Sequence, residues 1–259
     1  MTVRAEKSEP VPGDGLYQPI NTLKPVAPDI WIADGPEARM ATPFGGGMPF
    51  PTRMAVVRLR DGGVWCHSPI APDENLFREI DALGPVRHLV SPNLLHYASI
   101  AAWKRRYPEA TAWATPGVRE RAAAQHVEVA FDADLADAPP DAWADDLDQM
   151  RFRGSRVIEE FVFFHRASAT LVLADLIENF ERDRLARGMR WLAWLGGVLD
   201  PDGKAPLDLR MTFTGRRRVA RACFEKIMAW HPQRVILAHG RWYPENGEAE
   251  LRRAFRWVC

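Results

Sequence analysis

The stretch VRHLVSPNLLH at residues 86–96 decides how the rest of the chain is interpreted. Its first half is a short apolar run, which predicts a buried strand, and Ser91-Pro92-Asn93 ends that strand. His96 follows at once, and a helical pattern begins after it. A strand, a polar turn and a helix start in this order are typical of the sheet edge where α/β proteins place their chemistry.

Composition and charge limit the class of protein. The chain has 259 residues, 34 Lys and Arg against 34 Asp and Glu, and 47% hydrophobic residues. A zero net charge argues against a broad nucleic-acid-binding surface. The cysteines Cys66, Cys223 and Cys259 lack paired-ligand spacing, which favours free thiols in a reducing compartment. Because neither a signal-peptide core nor a membrane-spanning stretch is visible, we expect a cytoplasmic protein.

The organisation along the chain predicts one main domain. Residues 1–20 are polar and rich in Pro and Gly, so we expect a loose N-terminal arm. Residues 21–259 are expected to form a single domain with a helical insert at about 176–215. The segment 41–53 contains three consecutive glycines and three prolines, and it is therefore predicted to be a loop.

Strand and helix patterns alternate, which indicates an α/β layered fold. Residues 54–59 and 64–67 flank an Asp-Gly turn and are predicted to form a hairpin. The runs at 160–164 and 170–174 are almost continuously apolar, and this pattern predicts strands that are buried on both faces.

Three histidines and one aspartate directly follow apolar strand patterns: His96, His165, Asp175 and His239. If those strands lie side by side, the four side chains gather at one end of the sheet, where imidazoles and a carboxylate suit Zn²⁺, Fe or Mn. Two simpler interpretations remain open. A histidine at a strand end is often only a hydrogen-bonded structural residue, and Asp175 could cap a helix that begins at Leu176.

This order of residues resembles the metallo-β-lactamase superfamily, which includes glyoxalase II-like and ribonuclease Z-like hydrolases. The family carries His-x-His-x-Asp-His after a strand, and this motif falls on residues 91–96. His165 resembles the family's lone histidine, Asp175 its bridging aspartate and His239 its final histidine. The resemblance covers about residues 28–240 and is greatest to a branch of unknown function with a degenerate motif. It implies an αββα four-layer sandwich of two mixed β-sheets flanked by helices.

The first motif departs from the family pattern, because Ser91, Asn93 and Leu95 replace two histidines and an aspartate. Leucine cannot bind a metal, and Ser and Asn are weak zinc ligands. The resemblance therefore implies one divalent metal (Zn, or Fe or Mn) held by His96, Asp175 and His239. His165 is expected to be a fourth ligand or a nearby acid/base, so that Asp175 and His165 are the candidate catalytic residues.

The expected activity is hydrolysis of a small ester, thioester, amide or phosphoester substrate. Ser91 and Asn93 would line the pocket as hydrogen-bond donors, with His67 and the segment 44–50 at its rim. The alternative is a catalytically inactive binding module that holds no metal and binds a small molecule or a protein. A third hypothesis uses the helix with Trp191 and Trp194 as a packing surface, a homodimer contact or a membrane-surface contact.

Overall fold

Two β-sheets packed face to face form the frame of the computed structural model, which describes residues 15–41 and 47–259. The strands of the first sheet are β1 (Leu23–Ala27), β2 (Ile30–Ala41), β3 (Gly47–Arg58), β4 (Val64–His67), β5 (Val86–Val90), β6 (Thr111–Ala114) and β7 (Ala133–Asp134). The strands of the second sheet are β8 (Leu147–Phe152), β9 (Glu160–His165), β10 (Thr170–Val172) and β11 (Arg234–Ile236).

Helices connect the strands and cover the outer faces. They are α1 (Glu74–Asp81), α2 (Ile100–Arg106), α3 (Val118–Ala124), α4 (Arg187–Gly196), α5 (Leu207–Thr212), α6 (Arg217–Met228) and α7 (Gly247–Ala254). Asp73 caps α1, as its position predicts, because its carboxylate accepts from the N–H groups of Asn75 and Leu76. Among the helices of the described residues, none combines the length and apolarity that a membrane crossing requires.

Strand direction differs between the two halves of each sheet. In the first sheet β1 to β4 are antiparallel, and β4 to β7 are parallel. In the second sheet β8, β9 and β10 are antiparallel, whereas β10 and β11 are parallel. Parallel neighbours need a crossover, and α1, α2 and α6 supply three of these connections. The predicted hairpin of β3 and β4 is confirmed.

Three apolar layers hold the sandwich together. Between the sheets, Trp65 and Phe163 pack edge to face at 4.9 Å, with Ile32 and Ile236 in the same cluster. A second cluster joins the outer face of the first sheet to α1 and α2, and a third joins the second sheet to α6 and α7. The predicted αββα four-layer sandwich is therefore confirmed.

The segment 41–53 is not a loop throughout, as the glycines and prolines suggested. Residues 47–53 belong to β3, and only 42–46 lie outside the described residues. Proline is tolerated there because β3 pairs with β4 only from Ala55 onward, so the earlier part of β3 needs a partner on one side alone. Of the proposed rim segment 44–50, residues 44–46 likewise fall outside the description.

The N-terminal arm is described from residue 15, and Tyr17 in it contacts the domain. The Tyr17 ring lies between the guanidinium groups of Arg53 and Arg184, at 5.0 Å and 4.5 Å from its centroid. Lys24 donates its ammonium protons to the Tyr17 carbonyl. Cation–π contacts of this kind fix an otherwise polar segment against the domain.

Candidate metal centre

The turn after β5 is built by its own polar side chains. Ser91 is fully buried, and its hydroxyl donates to the carbonyl of Asn93 at 3.1 Å. The side-chain oxygen of Asn93 accepts from the backbone N–H groups of Leu95 (2.8 Å) and His96 (3.2 Å). Such a local turn orients the Asn93 amide, because its oxygen is committed to the backbone and its NH₂ group must point away.

Asp175 is the centre to which the neighbouring groups converge. The Nε2 atoms of His96 and His239 each lie 3.2 Å from its Oδ1 atom. Its Oδ2 atom accepts from the Asn93 NH₂ group at 2.7 Å. Burial alone would raise the pKa of this carboxyl, but the two histidines outweigh it and hold the pKa well below the ordinary value. The cluster therefore keeps a buried carboxylate ionised.

Asp175 does not cap a helix, so that alternative interpretation is wrong. It follows β10 by three residues, and the chain after it runs through turns and short bridges as far as α4. Its position is set by backbone hydrogen bonding, since Leu173 donates its N–H to the Ile236 carbonyl of β11 at 2.9 Å. The pairing of two parallel strands thus delivers Asp175 and His239 to the same edge.

His239 has one fixed tautomer when it is neutral. Its Nδ1 atom lies 2.8 Å from the Pro51 carbonyl, which can only accept, so the proton is on Nδ1. Gly240 follows with φ at +87°, and a Cβ there would meet the Asn179 carbonyl oxygen at 2.2 Å. Only glycine fits that close approach. The lone pair of Nε2 therefore faces the carboxylate of Asp175.

His96 is held from the side opposite Asp175. Its Nδ1 atom is hydrogen-bonded to the hydroxyl of Ser68, directly after β4. Ser68 adopts φ at +53°, a left-handed conformation that costs a non-glycine residue about 1–2 kcal/mol. Backbone strain of this kind is concentrated at functional sites. Ser68 was not singled out from the sequence, and its contact with His96 depends on parallel pairing between β4 and β5.

Glu160 is the second site residue that sequence reasoning missed. It is 2% exposed, and its carboxylate accepts from the backbone N–H groups of Ala174 and Asp175, both at 2.7 Å. The Asn93 NH₂ group also donates to it at 3.2 Å. Burial, followed by the negative charge of Asp175, raises the pKa of Glu160 to about 8. The signal in the sequence was an acidic residue that opens a wholly apolar strand.

His165 is not at the cluster, and its assignment as a ligand or acid/base is corrected. It ends β9, which runs antiparallel to β10, so the start of β9 lies at the edge with Asp175 and its end lies at the opposite edge. There His165 is buried and its Nδ1 atom bonds the Ser168 hydroxyl at 2.7 Å. Burial lowers the pKa of this histidine.

His67 lies beside the cluster but is closed off from solvent. It is 1% exposed, stacks on Trp65 and meets Phe163 edge to face. Its Nε2 atom has no hydrogen-bond partner among the described residues. Burial, with a further contribution from the His96 charge, lowers the pKa of His67 to about 3, so the ring is neutral. His67 thus packs under the site, and Ser91, also fully buried, serves the turn.

Glu178, which is partly exposed, is a second carboxyl close to the cluster with a raised pKa. Burial raises its pKa to about 7, against the opposing influence of His239. Its backbone N–H donates to the Lys204 carbonyl at 3.2 Å, which anchors the insert to this edge. A carboxyl that titrates near neutrality suits proton transfer.

The donor atoms of His96, Asp175 and His239 lie within 4.8 Å of one another. Two donors bound at about 2.0–2.1 Å to one tetrahedral ion are separated by about 3.3 Å, close to the 3.2 Å found here. Among the described residues this is the one group of three or more His, Cys, Asp or Glu side chains with such proximity. The three residues therefore fit a single divalent ion.

Comparison with solved structures places the fold. The metallo-β-lactamase DIM-1 is 16% identical, with a TM-score of 0.61 over 92% of this chain and 95% of that one. A metallo-β-lactamase from Pontibacter korlensis is 12% identical, with a TM-score of 0.61 over 92% and 98%. FIM-1 from Pseudomonas aeruginosa, in its mono-zinc form, is 12% identical, with a TM-score of 0.59 over 92% and 94%. The chain has the metallo-β-lactamase fold.

Sequence comparison narrows the family further. No curated protein matches this chain. One family model, described as Domain of unknown function (DUF4336), matches residues 47–186. That match includes β3 to β10 and therefore two of the three candidate ligands, His96 and Asp175. Because it covers more than half of the sequence, the chain belongs to the DUF4336 family.

Proposed function

We propose that this protein is a metal-dependent hydrolase with one divalent ion held by His96, Asp175 and His239. The observation that carries the proposal is the orientation of His239. Its proton is committed to the Pro51 carbonyl, so its Nε2 lone pair faces a carboxylate oxygen at 3.2 Å. Two electron-rich atoms in this arrangement need a cation between them or a second proton on the ring.

The donor set favours one ion. Ser91 and Asn93 have their polar atoms engaged in the turn and with Asp175 and Glu160, and Leu95 has no donor. His165 lies at the far end of β9. Three protein ligands that leave a coordination position open are the usual arrangement of catalytic zinc, and Fe or Mn suits the same donors.

When bound, a divalent ion supplies a Lewis acid that lowers the pKa of water and polarises a carbonyl or phosphoryl group. The protein's own residues do the positioning. Asn93 and Glu160 hold Asp175 in one rotamer through its Oδ2 atom and its backbone N–H. We propose that Glu178, whose pKa burial raises to about 7, exchanges a proton with the leaving group. The proposed reaction is hydrolysis of a small ester, thioester, amide or phosphoester.

Metal analysis of the purified protein by mass spectrometry tests this proposal. We expect about one equivalent of Zn, Fe or Mn per chain. Stoichiometric binding should be lost in His239→Ala and in Asp175→Asn, with the fold retained by circular dichroism. His231→Ala is the matched control, because His231 is a solvent-exposed histidine outside the cluster. A wild-type protein that neither contains nor takes up any of these metals would refute the proposal.

A metal-free binding module is the second candidate. Its supporting observation is that every polar atom of the cluster already has a protein partner, so protonated His96 and His239 could form ion pairs with Asp175. In this case the NMR signals of both rings should be unchanged by added Zn²⁺. The homodimer through the Trp191 and Trp194 helix and the cytoplasmic location both stay predictions.

A further inference from the structure

A single apolar face lies on the insert, and none of its residues is a candidate ligand. It consists of Trp191, Leu192, Trp194 and Leu195 on α4 with Leu207 and Met211 on α5, all of them exposed. Trp191 is 61% exposed and Trp194 is 65% exposed. Exposed large apolar side chains normally occur singly, and a contiguous group marks an interaction surface. Among the described residues, the other exposed large hydrophobics are Val157 and Val219.

Those two valines border the same face. Val219 lies in the first turn of α6, seven residues after the end of α5. Val157 belongs to a loop tied to α5, because Arg156 donates its N–H to the Thr212 carbonyl at 3.2 Å and Ser155 shares a hydroxyl hydrogen bond with Thr212 at 2.7 Å. The exposed apolar side chains are therefore concentrated on α4, α5 and the segments that adjoin α5.

Arginines without a salt bridge lie on or next to the elements that carry the apolar face. Arg156, Arg187, Arg216, Arg217 and Arg218 are exposed, and the described residues offer none of them a salt bridge. The segment 182–219 contains nine Lys and Arg against four Asp, although the whole chain is neutral. A surface of this sign attracts an anionic partner.

The arginines at the start of α6 lie where their positive charge does not stabilise the helix. The helix begins at Arg217 with Arg216 as its uncapped N-terminal neighbour, and its first turn has no acidic residue. Cations at a helix N-terminus are disfavoured by the helix dipole. Burial, with the nearby charges of Arg256 and Arg217, also lowers the pKa of Arg210. Arg216, Arg217 and Arg218 form no salt bridge with an acidic side chain of the described residues.

We propose that the apolar face and its surrounding arginines dock on the surface of an anionic lipid bilayer. Tryptophan and leucine suit the boundary between headgroups and acyl chains, and arginine suits the phosphates above it. The helices are too short to span, so the protein would lie on the membrane. A second copy of this chain fits the face less well than a bilayer does, because a two-fold contact through the face would bring the arginines of both copies together.

Co-sedimentation of the full chain with vesicles tests the proposal. One vesicle preparation contains phosphatidylcholine alone, and the other contains phosphatidylcholine with phosphatidylglycerol. We expect binding to the anionic vesicles that weakens as salt is raised. Arg217→Glu/Arg218→Glu should lower the partition coefficient by at least about tenfold. Trp191→Ser/Trp194→Ser should lower it as well, because the apolar contribution is removed.

The matched control is Arg87→Glu/Arg105→Glu. These two arginines are exposed and form no salt bridge among the described residues, but they lie on β5 and at the end of α2. Their reversal should leave vesicle binding largely unchanged. An equal loss of vesicle binding in the control and test variants would show that the effect depends only on the overall charge of the protein. That result would overturn the proposal.

Two further outcomes would also overturn the proposal. One is failure of the wild-type protein to sediment with anionic vesicles at low salt. The other is a dimer in analytical ultracentrifugation that Trp191→Ser/Trp194→Ser dissociates, which would assign the face to a second copy. Neither result depends on metal content or hydrolysis, so membrane docking and the proposed function can fail separately.

Discussion

The two ends of β9 carry similar groups into very different surroundings. Glu160 at its start and His165 at its end are each 2% exposed, and each is hydrogen-bonded. Burial favours the neutral form of both, raising the pKa of Glu160 to about 8 and lowering that of His165. Five residues of strand separate them by about 16 Å. The Glu160 end contacts Asp175, whereas the side chain of His165 is hydrogen-bonded to the Ser168 hydroxyl.

This difference shows that burial alone does not define a site. At the His165 end, the ring is hydrogen-bonded to a neighbouring hydroxyl, and no carboxylate of the described residues hydrogen-bonds to it. At the other end, Glu160 has a raised pKa and accepts a hydrogen bond from the backbone of Asp175, whose own pKa is lowered. His96 and His239 contact the same Asp175 carboxylate. Pairs of titratable groups whose pKa values are driven apart are typical of functional sites.

The largest expected effect is on metal affinity, and it comes from substituting Glu160 at the cluster end of β9. Glu160→Gln replaces an acceptor oxygen with an NH₂ group, so the Ala174 or Asp175 N–H loses its partner. We expect metal affinity to fall by about 10- to 100-fold, as measured by competition with a chelating dye.

His165→Asn is the control at the other end of β9, because it keeps a polar side chain near Ser168. It should leave metal affinity at the wild-type value. An equal loss of affinity in both variants would contradict the difference between the two ends and would return His165 to the ligand set.

An intermediate effect is expected from the buried ring of His67. Its folded pKa of about 3 lies below the ordinary value of 6.5, so below pH 6.5 the unfolded chain binds a proton that the folded chain does not. Stability therefore falls as pH drops from about 6.5 towards 3. His67→Leu removes this dependence and should raise the free energy of unfolding by about 2 kcal/mol at pH 5, and by less at pH 8.

Urea unfolding of His67→Leu at both pH values measures that change. His231→Leu supplies the comparison, since His231 is largely exposed and, among the described residues, its side chain is hydrogen-bonded only to Glu248. A His67→Leu gain that is the same at pH 5 and pH 8 would show that packing, and not proton binding, is responsible.

The smallest expected effects come from substituting the two serines that contact His96 and His165. Ser68 bonds His96 at the cluster end, and Ser168 bonds His165 at the other. Ser68→Gly relieves the left-handed strain but removes the hydroxyl, so stability should change by less than about 1 kcal/mol. Metal affinity should fall by less than about tenfold. Isothermal titration should show no change in affinity for Ser168→Ala, and a loss there would contradict the assignment.

Much of the fold could be predicted from local patterns. The Asp-Gly hairpin and the alternation of strands and helices each depend on neighbouring residues, and both were found as expected. His96, Asp175 and His239 were also identified beforehand, because β5, β10 and β11 each deliver their carboxyl ends to the same edge. The error at His165 arose from treating β9 in the same way.

The chain's own sequence determined which residues are apolar, where strands stop and which polar groups follow them. Only the tertiary structure decided that β9 runs against β10, which takes His165 away and brings Glu160 to Asp175. It also extended β3 through a segment rich in glycine and proline. Strand direction depends on pairing between residues distant in sequence, and both directions satisfy the same apolar pattern, so the local sequence cannot distinguish them.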